Sequence, residues 1–111
     1  MNRNKLIEVF ISNISNAILH EILEKAIDKP EIAQKYKREI KSSFDIARRY
    51  RDKINPVNIT LPEIDAEYIK NKIRRKVKTE LSLRISKGYK NIDVALVEEL
   101  IEKFLKDTGV I

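Results

Sequence analysis

Apolar and polar positions divide the chain into four stretches of helical period and one of period two. From Leu6 to Ile27, the residues Leu6, Ile7, Phe10, Ile14, Ala17 and Ile18 fall on one side of a helix. Leu19, Leu23, Ala26 and Ile27 carry the apolar surface round to the other side. A helix that is apolar nearly all round must be covered by several neighbours. The stretch therefore predicts the central helix of a bundle, or half of a subunit interface with Phe10, Ile11, Ile18 and Leu19 facing a second copy or another protein. Glu8, Asn13, Asn16, His20, Glu21 and Glu24 interrupt the run well before the ~18 to 20 uninterrupted apolar residues of a membrane span. No small-residue cleavage site follows it, so a signal peptide is not expected either.

Asn2 and Asn4 are candidate caps for this first helix, and Pro30 marks its end near Asp28. Asp28-Lys29-Pro30-Glu31 reads at the same time as a start signal, with Asp28 as cap and Glu31 as its reciprocal partner. The second helix then runs to about Lys53 on an apolar arc of Ile32, Ala33, Tyr36, Ile40, Phe44, Ala47, Tyr50 and Ile54. Residues 54 to 62 are bracketed by Pro56 and Pro62, and Val57, Ile59 and Leu61 alternate with polar residues, which predicts an extended strap with one side buried. Thr60-Leu61-Pro62-Glu63 repeats the capping pattern ahead of a third helix that reaches Lys87, where Gly88 offers a left-handed stop. Its apolar residues Ile69, Ile73, Val77, Leu81 and Ile85 stand four apart, so the stripe winds around the helix and only a narrow side can be buried. Asn91 is the expected cap of a fourth helix, whose buried face is Val94, Val97, Leu100, Ile101, Phe104 and Leu105 and whose end lies near Asp107, with Gly109 and Val110 forming a glycine stop. The reading is all-α: one domain over residues 1–111, a four-helix bundle with an extended, proline-bracketed connection between helices 2 and 3.

Composition narrows the chemistry. No cysteine is present, which removes disulfides, thiolate metal sites and cysteine nucleophiles together. Two glycines cannot build a phosphate-cradling loop. His20 is the single histidine, and with Glu24 it offers two ligands where a metal site needs more, so neither a metal nor a cofactor is expected. No triad, nucleophile elbow or small-molecule substrate site is indicated, and the chain is read as non-enzymatic. The Asn58-Ile59-Thr60 sequon has no secretory signal to go with it, and a cytoplasmic location is expected. A 36% charged chain with one glutamine, Gln34, matches the lysine- and glutamate-rich, amide-poor usage of hyperthermophiles and predicts a thermophilic, archaeal source.

The formal net charge of +6 is unevenly placed. Residues 29 to 53 and 63 to 90 each carry +5, whereas residues 1 to 28 carry −1 and residues 91 to 111 carry −3. Lys37, Lys41 and Arg48 align on the second helix, flanked by Arg38 and Arg49, and Lys70, Arg74 and Lys78 align on the third, flanked by Arg75. Were these helices side by side, their outer faces would merge into one positive band with tyrosines at its margins. Such a band suits the phosphate backbone of DNA or RNA and carries no base-reading motif. The helix after the last turn is acidic, which argues against a helix-turn-helix reader. The expected site is accordingly Lys37, Lys41, Arg48, Lys70, Arg74, Arg75 and Lys78 on a nucleic-acid backbone. The rival is an oligomeric structural or adaptor subunit, a homodimer or a protein's partner, that uses the apolar first helix and the acidic fourth; a third reading is an ordinary lysine-rich thermophile surface on which the acidic fourth helix neutralises the basic third.

Overall fold

A computed structural model of the chain describes residues 1–56 and 59–111; the expected burial of Val57 and the sequon at Asn58 lie outside them. Helix α1 (Arg3–Lys25) starts at Asn2, whose side-chain oxygen accepts from the Lys5 amide at 2.9 Å. Its apolar residues are buried on both sides, as a central helix requires: Ile7, Phe10, Ile11, Ile14, Ala17, Ile18, Leu19, Ile22 and Leu23 all belong to the core. By length and mean hydropathy α1 could also cross a membrane, but here the chain's own helices occupy its apolar faces. The four residues expected at a subunit interface are among those covered. Phe10, Ile11 and Ile18 are fully buried and Leu19 is 5% exposed within the single chain, because three other helices together supply the cover that the narrow stripe of the third could not supply alone.

The partners are α2 (Pro30–Ile54), α3 (Glu63–Ser86) and α4 (Leu96–Asp107), and no strand occurs among the described residues. Each packs on α1, with α2 in the most extensive contact. Ion pairs show the directions. Lys37 to Glu24 with Glu39 to His20 shows α2 antiparallel to α1, Arg3 to Asp65 shows the starts of α1 and α3 together, and Arg74 to Glu98 with Lys70 to Glu102 shows α4 antiparallel to α3. The result is an up-down-up-down bundle of 40 × 23 × 23 Å, its long axis close to the ~36 Å of a 24-residue helix.

Helix ends differ from expectation where proline is involved. α1 stops at Lys25, and the cap of α2 is Lys29, which has no side-chain hydrogen bond, in place of Asp28. Proline's fixed φ and missing N–H suit the first helical position, so Pro30 takes it and the residue before it becomes the cap. Pro62 stands one place earlier relative to its helix: it is itself the cap of α3, without a side-chain bond, so Glu63 is the first helical residue and Thr60 lies outside the helix start. The N–H of Leu61 instead donates to the Val110 carbonyl at 3.2 Å, tying this connection to the C-terminus. Leu61 is buried, but Ile59, expected on the same side, is 55% exposed because its N–H turns back to the Pro56 carbonyl.

The winding stripe on α3 buries Ala66, Ile69, Ile73, Val77 and Leu81, then leaves Ile85 exposed. Each four-residue step overshoots one turn by about 40°, so by Ile85 the stripe has rotated away from its neighbours. Gly88, at φ +98, closes the helix with its N–H on the Ile85 carbonyl and the Tyr89 N–H on the Arg84 carbonyl. Asn91, at φ +65, serves the turn and not the helix start; α4 begins later, after Asp93 Oδ1 accepts from the Ala95 amide, and Val94 is therefore exposed. Gly109 and Val110 finish α4 as the sequence indicates: the Val110 N–H donates to the Leu105 carbonyl at 2.9 Å and its side chain is buried.

Candidate nucleic-acid interface

The amphipathic pattern of α2 lays Ala47 and Ile54 into the core, with Tyr36, Ile40, Phe44 and Tyr50 half-buried beside them, and leaves the opposite side open over 25 residues. Lys35, Arg38, Lys41, Arg48 and Arg49 are exposed there, and none has a carboxylate within ion-pair distance among the described residues. Arg48 lies over the Phe44 ring with its guanidinium carbon 5.8 Å from the centroid, and Lys53 lies 4.9 Å over Tyr50, so both charged groups stay at the surface while their stems cover aromatic area. Lys37, the remaining expected contact on this helix, is 3.7 Å from Glu24 of α1.

The expected residues of α3 are placed differently. Arg74 donates from Nε and Nη2 to the two carboxylate oxygens of Glu98, and from Nη1 to Asn71 Oδ1 at 2.7 Å. This two-point hydrogen bond raises the Arg74 pKa and holds the Glu98 carboxyl below the usual range. Lys78 stands 3.9 Å from the same carboxylate, and Lys70 donates to Glu102 at 3.2 Å. Three of the four expected α3 contacts thus face α4, whose acidic residues neutralise them. Arg75 is exposed and has no ion-pair partner among the described residues.

The two basic helices are not neighbours. α1 packs against both, and α2 and α3 make no helix-to-helix contact. Their outer faces do not merge, so the seven residues form an open ridge of Lys41 and Arg48 on α2, with Lys37 tethered at its edge, and a separate face of α3 where Lys70, Arg74 and Lys78 are engaged and Arg75 is open. Of the tyrosines, Tyr68 and Tyr89 are exposed; Tyr68 donates to Glu8, and Tyr36 stacks on His20 at 5.5 Å between ring centroids. His20 meets Glu39 at 3.2 Å, and no three histidine, aspartate or glutamate side chains gather into a metal-holding group among the described residues.

Sequence reasoning overlooked Arg51, which is 1% exposed. Its guanidinium donates to the carbonyls of Gly109 (2.9 Å), Ile59 (2.6 Å) and Asn55 (3.2 Å) and to Asn55 Oδ1 (2.5 Å), knotting the end of α2, the connection and the C-terminus together. The signal was present: Arg51 is four residues after Ala47 and seven after Phe44, on the apolar arc and not opposite it. Compared with protein-family models, curated proteins and solved structures, the chain shows no significant match to any of them.

Proposed function

We propose that the protein binds nucleic acid through the phosphate backbone, without base specificity, and that the contact is made chiefly by the outer face of α2, with Arg75 as the open cation of α3. The observation that carries this reading is the row Lys35, Arg38, Lys41, Arg48 and Arg49, exposed along one helix and without ion-pair partners among the described residues. The row runs from Lys35 to Arg49, about 21 Å of helix, long enough to meet several phosphates. Short of a groove-reading motif, such contacts fix position and carry little sequence information. Lys70, Arg74 and Lys78 enter the complex only if Glu98 and Glu102 release them, and they are assigned to the α3–α4 contact.

A salt titration tests the reading. Four or five phosphate contacts give a plot of log K against log salt with a slope of about −4 on duplex and about −3 on single strands, whatever their sequence. Replacing Arg38, Lys41, Arg48 and Arg49 together by glutamine should flatten that slope by about three to four. Unchanged binding in this variant would remove α2 as the contact, and no binding by the native chain at low salt would leave the protein-partner role in place of nucleic-acid binding.

A further inference from the structure

Among the described residues, large apolar side chains are exposed only toward the two ends of the bundle. At the end where α1 and α3 start, Met1, Ile59, Ile64 and Tyr68 are open to solvent. Toward the other end, where α3 finishes and α2 begins, they are Ile32, Leu83, Ile85, Tyr89 and Val94. The sides between them show none among the described residues, although the molecule is 40 Å long. Exposed hydrophobics scattered singly are ordinary; their gathering at two opposite ends marks those ends as surfaces for contact.

The two ends differ in shape and in charge. Ile64 is a knob: it is 80% exposed in the first turn of α3, where side chains lean toward the helix N-terminus and so toward the end of the bundle. Glu63 and Glu67 flank it in sequence, exposed and without an ion-pair partner among the described residues, while Asp65 is paired with Arg3 and Glu8 accepts from Tyr68. The opposite end is hollow. A cleft of about 590 Å³ opens between the α1–α2 turn and the α3–α4 turn, and Leu23, Ala26, Ile27, Ile32 and Tyr89 give it an apolar wall. Lys29 and Lys90 stand in that wall with Asp28, and Lys25 and Lys87 lie close by in the chain. All four lysines are exposed, and none has an ion-pair partner among the described residues. Glu31 and Asp93 are the other carboxylates near in sequence, and Asp93 accepts from the Ala95 amide, so lysine prevails at the rim.

We propose that the chain assembles head to tail, with the Ile64 knob of one copy seated in the end cleft of the next and Glu63 and Glu67 set against Lys29 and Lys90. The occupant is a second copy because this chain presents both halves of the contact at opposite ends: an apolar knob between carboxylates and an apolar hollow between lysines. A contact between unlike surfaces leaves each pair with one free knob and one free cleft, so the series runs on as a filament or closes as a ring. The outer face of α2 stays outside the contact, and the assembly holds whether or not that face binds nucleic acid.

Sedimentation of the full chain over a range of concentrations at low salt tests this. The mean mass should rise past that of a dimer, and added salt should lower it. Ile64→Asp, at a side chain too exposed to support the fold, should weaken association about tenfold or more, and so should Lys29→Glu with Lys90→Glu, which reverses the rim. Mixing the two variants gives the sharper outcome. The first keeps its cleft and the second keeps its knob, so the mixture should form dimers with native affinity and go no further. A native chain that stays monomeric at millimolar concentration, a dimer that does not grow, or a mixture that stays monomeric would overturn the proposal. A monomer that instead sediments with vesicles of anionic lipid would overturn it too, and would assign the lysine-rimmed end to a membrane surface.

Discussion

At the scale of single residues, two side chains carry more than their share. Arg51 is a fully buried cation without a buried anion, and burial lowers its pKa, yet four acceptor oxygens surround it. Neutralising it would free those part-buried acceptors together. Arg51→Met, which keeps the volume, should therefore destabilise the fold by about 3 kcal/mol in urea unfolding. Arg51→Lys should recover only part of it, because a point charge cannot span three carbonyls. His20 makes stability depend on pH. Burial lowers its pKa below 6.5, with Arg84 adding to the effect; the nearby Glu39 opposes it but does not prevail. The unfolded chain then takes up the proton first, so stability is complete above about pH 6.5 and falls as the pH drops from there toward the lower folded-state value. Glu98, held below 4.5 by Arg74, adds its own loss only in more acid solution. Between about pH 8 and pH 5.5 the native chain should lose more stability than His20→Gln, and equal losses would remove the assignment to His20.

At the scale of elements, hydrophobic period carried the reading and local capping chemistry did not. The all-round apolar surface of α1 was legible as a central position, and the four-residue step of Ile69, Ile73, Val77 and Leu81 as a narrow buried stripe, because both follow from geometry that any neighbour must respect. Asp28, Thr60 and Asn91 match cap patterns in the sequence, but Pro30 takes the first helical position of α2, Pro62 takes the cap position of α3, and a left-handed turn claims Asn91. The basic face was legible as charge and not as arrangement. Nothing in the spacing of Arg74 tells that Glu98, 24 residues on, will meet it; that depends on the antiparallel docking of α4. Two tests belong here. Ile73→Ala, in the middle of the stripe, should cost about 2 to 4 kcal/mol. Glu98→Gln should change stability by less than about 1 kcal/mol, since the pair is largely exposed, while making Arg74 and Lys78 available. Oligonucleotide binding should then tighten and its salt slope steepen by about one to two, and unchanged binding would show that this face of α3 stays out of the complex.

At the scale of the whole molecule, the core is closed within one chain and the charge is open on one side. Because Ile11 is enclosed by its own chain, Ile11→Asp should unfold the protein, seen as lost helical ellipticity, and not yield a folded monomer from an oligomer. Charge raises a sharper question, because a protein of net charge +6 attracts nucleic acid to some degree wherever its cations sit. Position and total can be separated. Changing Arg38, Lys41, Arg48 and Arg49 of α2 to glutamine takes the formal charge from +6 to +2, and so does changing Lys5, Lys25, Lys87 and Lys90, which are exposed and scattered over other parts of the surface. A diffuse field depends on the total and would treat the two variants alike. Direct phosphate contacts release condensed counterions one by one, and only their removal lowers the salt slope. The α2 variant should lose about three to four from the slope and the scattered variant less than about one, with both retaining the native helical content. Equal slopes would mean that the ridge on α2 has no privileged part in binding.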